Sequence, residues 1–251
     1  MNRIALLWIS LLVSVPALAQ DPHQMFEEAN LLYQQGKPAE AVAVYDSLLA
    51  EGYTSGELFY NLGNAHYKSG NVARAILNYE RAVRLIPGDE DLRHNLMLAN
   101  MMITDKLDPA PRLFVWDYWD GIKAAFSPDL TSWLLFMFVL ITACGVASFL
   151  LARTYALRKG SLVGIAASGL CVIFLLIIFI GKVGDINRKD AAIVTIPITT
   201  VKNSPDNASS DAFVLHGGVK VTIIDQVNTW LKIRLPDGKV GWMDKGAVEV
   251  I

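Results

Sequence analysis

The chain has 251 residues, 53% of them hydrophobic and 18% charged, with a formal net charge of −2 and a mean hydropathy of +0.36. Near-neutrality without a basic excess excludes a protein that holds nucleic acid through a cationic surface. Two cysteines exclude a disulfide framework, and the apolar excess must lie in segments that do not face water.

Residues 1–19 read as an export signal. Asn2-Arg3 is a positive start, Ile4 to Val15 an apolar run, and Ala17-Leu18-Ala19 the small-x-small pattern that precedes cleavage. The following segment, to residue 132, has a net charge of −7.

Residues 20–107 repeat themselves. Gly36 and Gly70, Ala41 and Ala75, and Tyr45 and Tyr79 are each 34 residues apart, which indicates a two-helix repeat. Phe59, Leu62, Gly63, Tyr67, Gly70, Ala75, Tyr79, Ala82 and Pro87 fall in the signature positions of the tetratricopeptide repeat, which the second copy closely resembles. In this reading Gly63 and Ala75 are small where helices cross, Gly70 turns the chain, and Pro87 stops a helix. The first copy, Pro22 to Tyr53, is more divergent, with Glu28 where the second has Leu62. Asp89 to Leu107 is expected to cap the stack as one helix, with Leu92, Leu96, Ala99 and Ile103 along its apolar side. Asn30 and Asn64 are one period apart, as are Asn61 and Asn95. Stacked pairs curve, and these four asparagines are expected to line the concave face as a peptide-binding ladder, each offering a donor and an acceptor.

Residues 108–130 form a linker. Asp108-Pro109-Ala110-Pro111 stiffens it. Phe114, Val115, Trp116, Trp119, Ile122 and Phe126, interleaved with Asp117, Asp120 and Lys123, predict an amphipathic helix at a bilayer surface. Ser127-Pro128 is a helix start. Two apolar runs follow, Trp133 to Leu151 and Leu162 to Ile180, each nineteen residues long without Asp, Glu, Lys or Arg. That length crosses a hydrocarbon core of about 30 Å. They predict transmembrane helices over residues 131–152 and 161–182, joined by a loop at 153–160 whose Arg153, Arg158 and Lys159 place it in the cytoplasm. Both long arms then lie on the opposite side. Cys144 and Cys171, one per span, read as packing residues, and Ala143 with Ala147 and Gly164 with Ser168 as small pairs that let helices approach.

Residues 190–251 change character. Leu231, Ile233 and Leu235 alternate with Trp230, Lys232 and Arg234, and turn residues at His216-Gly217-Gly218 and Pro236-Asp237-Gly238 separate short runs. About five strands closing into a small barrel are expected. Gly217 to Val221, Trp230, Gly238, Gly241 and Trp242 resemble a bacterial SH3 domain, a family that binds cell-wall peptides or proteins.

No nucleotide, zinc, redox or nucleophile-elbow motif is present, so no catalytic residue, cofactor or metal is expected. The fold class is thus a multidomain membrane protein: an all-α tetratricopeptide solenoid, a two-helix transmembrane hairpin and an all-β SH3-like barrel. With NLMLANMMITDKLDPAP and Trp116 to Trp119, this order resembles the Bat aerotolerance-operon proteins of the BatE type. The resemblance implies a non-enzymatic bacterial inner-membrane adaptor or scaffold with periplasmic amino- and carboxy-terminal domains, acting in stress tolerance or envelope-complex assembly. Its implied partners are other membrane proteins with von Willebrand A domains and a MoxR-type ATPase system, besides the lipid bilayer and without nucleic acid. The alternative is a sensor whose barrel binds peptidoglycan; a channel-forming oligomer ranks last.

Overall fold

The computed structural model describes residues 21–187 and 190–251, so the export signal expected over residues 1–19 lies outside the described residues. The described chain forms two compact units that divide between Met101 and Met102.

The first unit holds five helices: α1 (Pro22–Gln34), α2 (Pro38–Ala50), α3 (Gly56–Lys68), α4 (Val72–Leu85) and α5 (Glu90–Met101). A short polar side chain starts most of them. The carboxylate of Asp21, the hydroxyl of Ser55, the amide oxygen of Asn71 and the carboxylate of Asp89 accept first-turn N–H groups of His23, Leu58, Arg74 and Leu92. Those donors have no partner within their own helix. Gly36 and Gly70 end α1 and α3 at φ +78° and +80°, where a side chain is strained.

Helix α1 packs on α2, α3 on α4, and α4 on α5. Met25, Ala29, Ala41, Tyr45, Leu48, Leu58, Leu62 and Ala65 form one buried cluster. With a neighbour on two sides, α4 buries Ala73, Ala75, Ile76, Leu77, Asn78, Tyr79 and Ala82. A fully buried aliphatic such as Leu62 or Ile76 stabilises by about 1.5–3 kcal/mol. The helix crossing depends on Gly63, where a Cβ would stand 2.6 Å from the Tyr79 ring.

The capping helix is shorter than its expected span and ends at Met101. Ile103 therefore lies outside it. Thr and Asp, the types at positions 104 and 105, are poor helix formers because their side chains can bond the nearby backbone in other conformations, and Asp105 has a partner elsewhere.

That partner belongs to the second unit. Helix α6 (Phe114–Ala125) leads into α7 (Pro128–Leu151), which packs against α8 (Tyr155–Asn187). The Ser127 hydroxyl accepts the Leu130 N–H at 3.1 Å and starts α7 with proline in its first turn. Helices α7 and α8 are long and apolar enough to cross a membrane, with mean hydropathies of 2.6 and 2.9 in their most apolar windows. Phe136, Leu140, Leu162, Ile173 and Ile180 are exposed on them.

Between these helices the loop expected over 153–160 contracts to Ala152, Arg153 and Thr154, because α8 begins at Tyr155. Ala156, Leu157, Arg158 and Lys159 are strong helix formers, and the Leu157 N–H reaches the Thr154 hydroxyl at 3.4 Å. The Thr142 and Ser168 hydroxyls lie 2.9 Å apart, and those of Ser148 and Ser161 3.0 Å apart. The tightest glycine contact falls at Gly145, where a Cβ would stand 3.0 Å from Ile165, and not at Gly164, which has open space beside it. Ala143 and Ala147 instead line an open apolar groove of about 700 Å³ with Val139, Gly169 and Ile173.

The remainder is one antiparallel sheet of β1 (Ala191–Val194), β2 (Ile198–Lys202), β3 (Asp211–His216), β4 (Lys220–Val227), β5 (Trp230–Arg234), β6 (Val240–Asp244) and β7 (Val248–Val250). Their order is β3-β2-β6-β5-β4-β1-β7. Seven strands replace the five expected, because β1 and β7, of four and three residues, are too short for alternation to show. Ala192, Val201, Leu215, Val221, Ile233, Met243 and Val248 share one core that draws on every strand, so the sheet wraps around it. The β4–β5 turn places Asn228 at φ +52°, a conformation asparagine tolerates. At Gly241 a Cβ would stand 2.4 Å from Val201, so only glycine lets β6 pass β2.

Gly63→Ala is expected to destabilise the helical unit by about 1–3 kcal/mol. Hydrogen–deuterium exchange of α3 and α4 in the detergent-solubilised protein should quicken; unchanged exchange would show that the crossing tolerates a methyl group.

Candidate functional site

The four asparagines predicted to line a groove are half-buried and bonded to one another. The Asn61 side-chain amide donates from α3 to Asn30 Oδ1 on α1 at 2.9 Å. One period later, Asn95 on α5 donates to Asn64 Oδ1 on α3 at 3.0 Å. Each acceptor takes a second bond from the helix behind it: the Tyr45 hydroxyl donates to Asn30 at 2.6 Å and the Tyr79 hydroxyl to Asn64 at 2.8 Å. Asn95 also donates to the Tyr60 hydroxyl at 3.0 Å. The ladder therefore ties the first helices of successive pairs together and fastens each to its own second helix. Burial pushes the phenols of Tyr45 and Tyr79 above their ordinary range, and that of Tyr60 in the same direction. They remain O–H donors at any physiological pH.

Sequence reasoning chose the asparagines but not the tyrosines that complete the rungs. The signal was present, since Asn30 to Tyr45 and Asn64 to Tyr79 are both fifteen residues apart. Beside the ladder, Lys68 Nζ sits 4.5 Å over the Tyr33 ring, a cation–π contact between α3 and α1. His66 is buried. Its imidazole is pushed down to about 4, first by burial and then by the Arg74 charge.

In the second unit, Arg112 reaches Asp117 at 3.0 Å and Asp120 at 2.6 Å, and Lys123 reaches Asp120 at 3.1 Å. The acids of α6 are thus paired while Phe114, Trp116 and Tyr118 stay exposed. In the barrel, Trp242 is buried with Lys232 Nζ 5.6 Å from its ring centre, a packing position. His216, expected in a turn, closes β3. Among the described residues no group of three His, Cys, Asp or Glu side chains could hold a metal ion.

Residues 26–90 match the tetratricopeptide repeat family. Residues 199–249 match the bacterial SH3 domain family. Among curated proteins, none matches the chain. The two families coincide with the two element types found here, stacked helical pairs and a wrapped antiparallel sheet, both typically non-catalytic binding modules.

Asn64→Ala removes the acceptor of two bonds and strands the Tyr79 hydroxyl, at a cost of about 1–3 kcal/mol. Tyr79→Phe deletes that hydroxyl and leaves the Asn95 bond, so it should cost less. Denaturation followed at the helical unit should rank them in that order. His66 supplies a pH test. Its folded value lies below the unfolded 6.5, so the unfolded chain binds the proton more readily. Stability from a neutral His66 is present above pH 6.5 and falls as pH drops toward 4, by on the order of 2–3 kcal/mol. His66→Phe should flatten that dependence in melts across this range.

Proposed function

We propose that the protein is a non-enzymatic membrane adaptor, in which α7 and α8 cross the bilayer once each and hold two binding modules on the same side. The observation that carries this reading is the arrangement itself: a tetratricopeptide module and an SH3-like barrel flank two apolar helices that bury little of their own surface. Apolar surface that the fold leaves uncovered favours a hydrocarbon environment. Arg153, Arg158 and Lys159 at the tip favour a cytoplasmic turn and hence periplasmic modules. The paired acids and exposed aromatics of α6 suit a helix lying at headgroup depth.

The helical unit then recognises an extended protein segment. Ladder bonds engage the oxygens of Asn30 and Asn64 and the nitrogens of Asn61 and Asn95. The opposite pole of each amide is the one offered to a peptide backbone. The resemblance to BatE-type proteins supports partners among membrane proteins with von Willebrand A domains, working with a MoxR-type ATPase in stress tolerance or complex assembly. The second reading, a peptidoglycan-binding sensor, draws support from the bacterial SH3 match.

Two measurements test the proposal. Crosslinking in intact membranes followed by copurification should recover a von Willebrand A protein, and recovery of cell-wall fragments alone would favour the sensor. Arg158→Cys, in a background lacking Cys144 and Cys171, should react with an impermeant thiol reagent only after the membrane is opened. Labelling from outside intact spheroplasts would reverse the topology.

A further inference from the structure

Residues 105–110 lie along the barrel without joining its sheet. Three contacts of different chemistry hold them there. The Asp105 carboxylate accepts the His216 backbone N–H at 2.7 Å through Oδ2, and its Oδ1 lies 2.9 Å from His216 Nδ1. Leu107 packs against the buried core of the barrel. The Ala110 N–H donates to the Pro236 carbonyl at 2.8 Å.

The barrel side of each contact is chemically fitted to a guest. β3 is the edge of the sheet, and an edge strand presents N–H groups that no neighbouring strand satisfies. The His216 N–H is met by a carboxylate from a segment remote in sequence, a charge-assisted bond stronger than a neutral one. The imidazole beside it adds a second polar contact. Leu107 supplies an aliphatic group at a place where the core would otherwise meet solvent, and the Pro236 carbonyl at the β5–β6 turn accepts a backbone bond that any non-proline residue can make. Acid, aliphatic and backbone donor are read in order along one extended stretch. Only the first two select a sequence.

The fit is also limited in extent. Asp105 keeps 19% of its side chain exposed and His216 34%, and Leu107 is half-buried. A segment of the same chain does not need tight contacts, because its connection to the barrel through α6, α7 and α8 makes the association intramolecular.

We infer that this end of the barrel is a recognition site for an extended protein segment carrying Asp-x-Leu, and that residues 105–110 of the chain occupy it in cis. A partner with the same pattern enters by displacing them. The inference rests on the reading of the barrel as a protein-binding module and names the ligand class that module takes.

The test uses a fluorescent peptide of sequence TDKLDPAP, residues 104–111, and the full-length protein in detergent. With its own segment in place the native protein should bind the peptide weakly. The double variant Asp105→Ala with Leu107→Ala should bind it at least tenfold more tightly, and a peptide bearing the same two alanines should not bind. Amide exchange in β4 and β5 is followed in parallel. Equal affinity of native and variant protein, with β4 and β5 still protected, overturns the inference. Loss of that protection overturns it as well, by showing that residues 105–110 are an integral part of the barrel. Either failure leaves the membrane crosslinking result untouched, since that readout does not depend on which surface of the barrel is used.

Discussion

Two long helices that leave their aliphatic and aromatic side chains uncovered set the terms for the whole chain. Helices α7 and α8 expose Phe136, Leu140, Ile173 and Ile180, whereas the helical unit and the barrel each enclose a core of fully buried residues such as Leu62, Ile76, Ile233 and Met243. Each closes its own backbone hydrogen bonds, which is what allows a helix of this length and apolarity to cross hydrocarbon. The two helices pack closely along their length, with hydroxyl pairs crossing at Thr142 to Ser168 and Ser148 to Ser161 and with Gly145 admitting Ile165. Packing and hydroxyl pairing of this kind hold helices together where hydrophobicity supplies no drive between them. The helical unit and the barrel each have a buried core of their own.

They reach stability by different routes. The helical unit spends small residues to bring helices close, with Gly63 under the Tyr79 ring, and then fixes the spacing with side-chain amides and phenols. The barrel relies on wrapping: seven short strands contribute one or two apolar residues each to a common interior. Gly241 is to that closure what Gly63 is to the helix crossing.

Much of this was legible in the residues because it is periodic. The 34-residue repeat located Gly36, Gly70, Ala75 and Tyr79 together, and the alternation of Leu231, Ile233 and Leu235 marked the inner face of β5. Features without a period were missed. Strands β1 and β7 are shorter than any pattern can register, and the cationic turn reads as loop by charge although Ala156 to Lys159 prefer helix. The asparagine ladder was half seen: spacing placed the four residues, whereas their bonds to one another depend on side-chain direction across three helices. The Asp105–His216 contact joins positions 111 residues apart. Nothing local to either end announces it.

That long-range contact has a mechanical consequence. The chain touches the barrel at Asp105, Leu107 and Ala110 before it enters α6, and meets it again after α8 at β1. A pull exerted on the chain ahead of Met102 is therefore met first by the end of β3 and the β5–β6 turn, before it reaches the linker into α6. The segment works as a strain relief, and tension sufficient to peel it away would bare the very surface it covers.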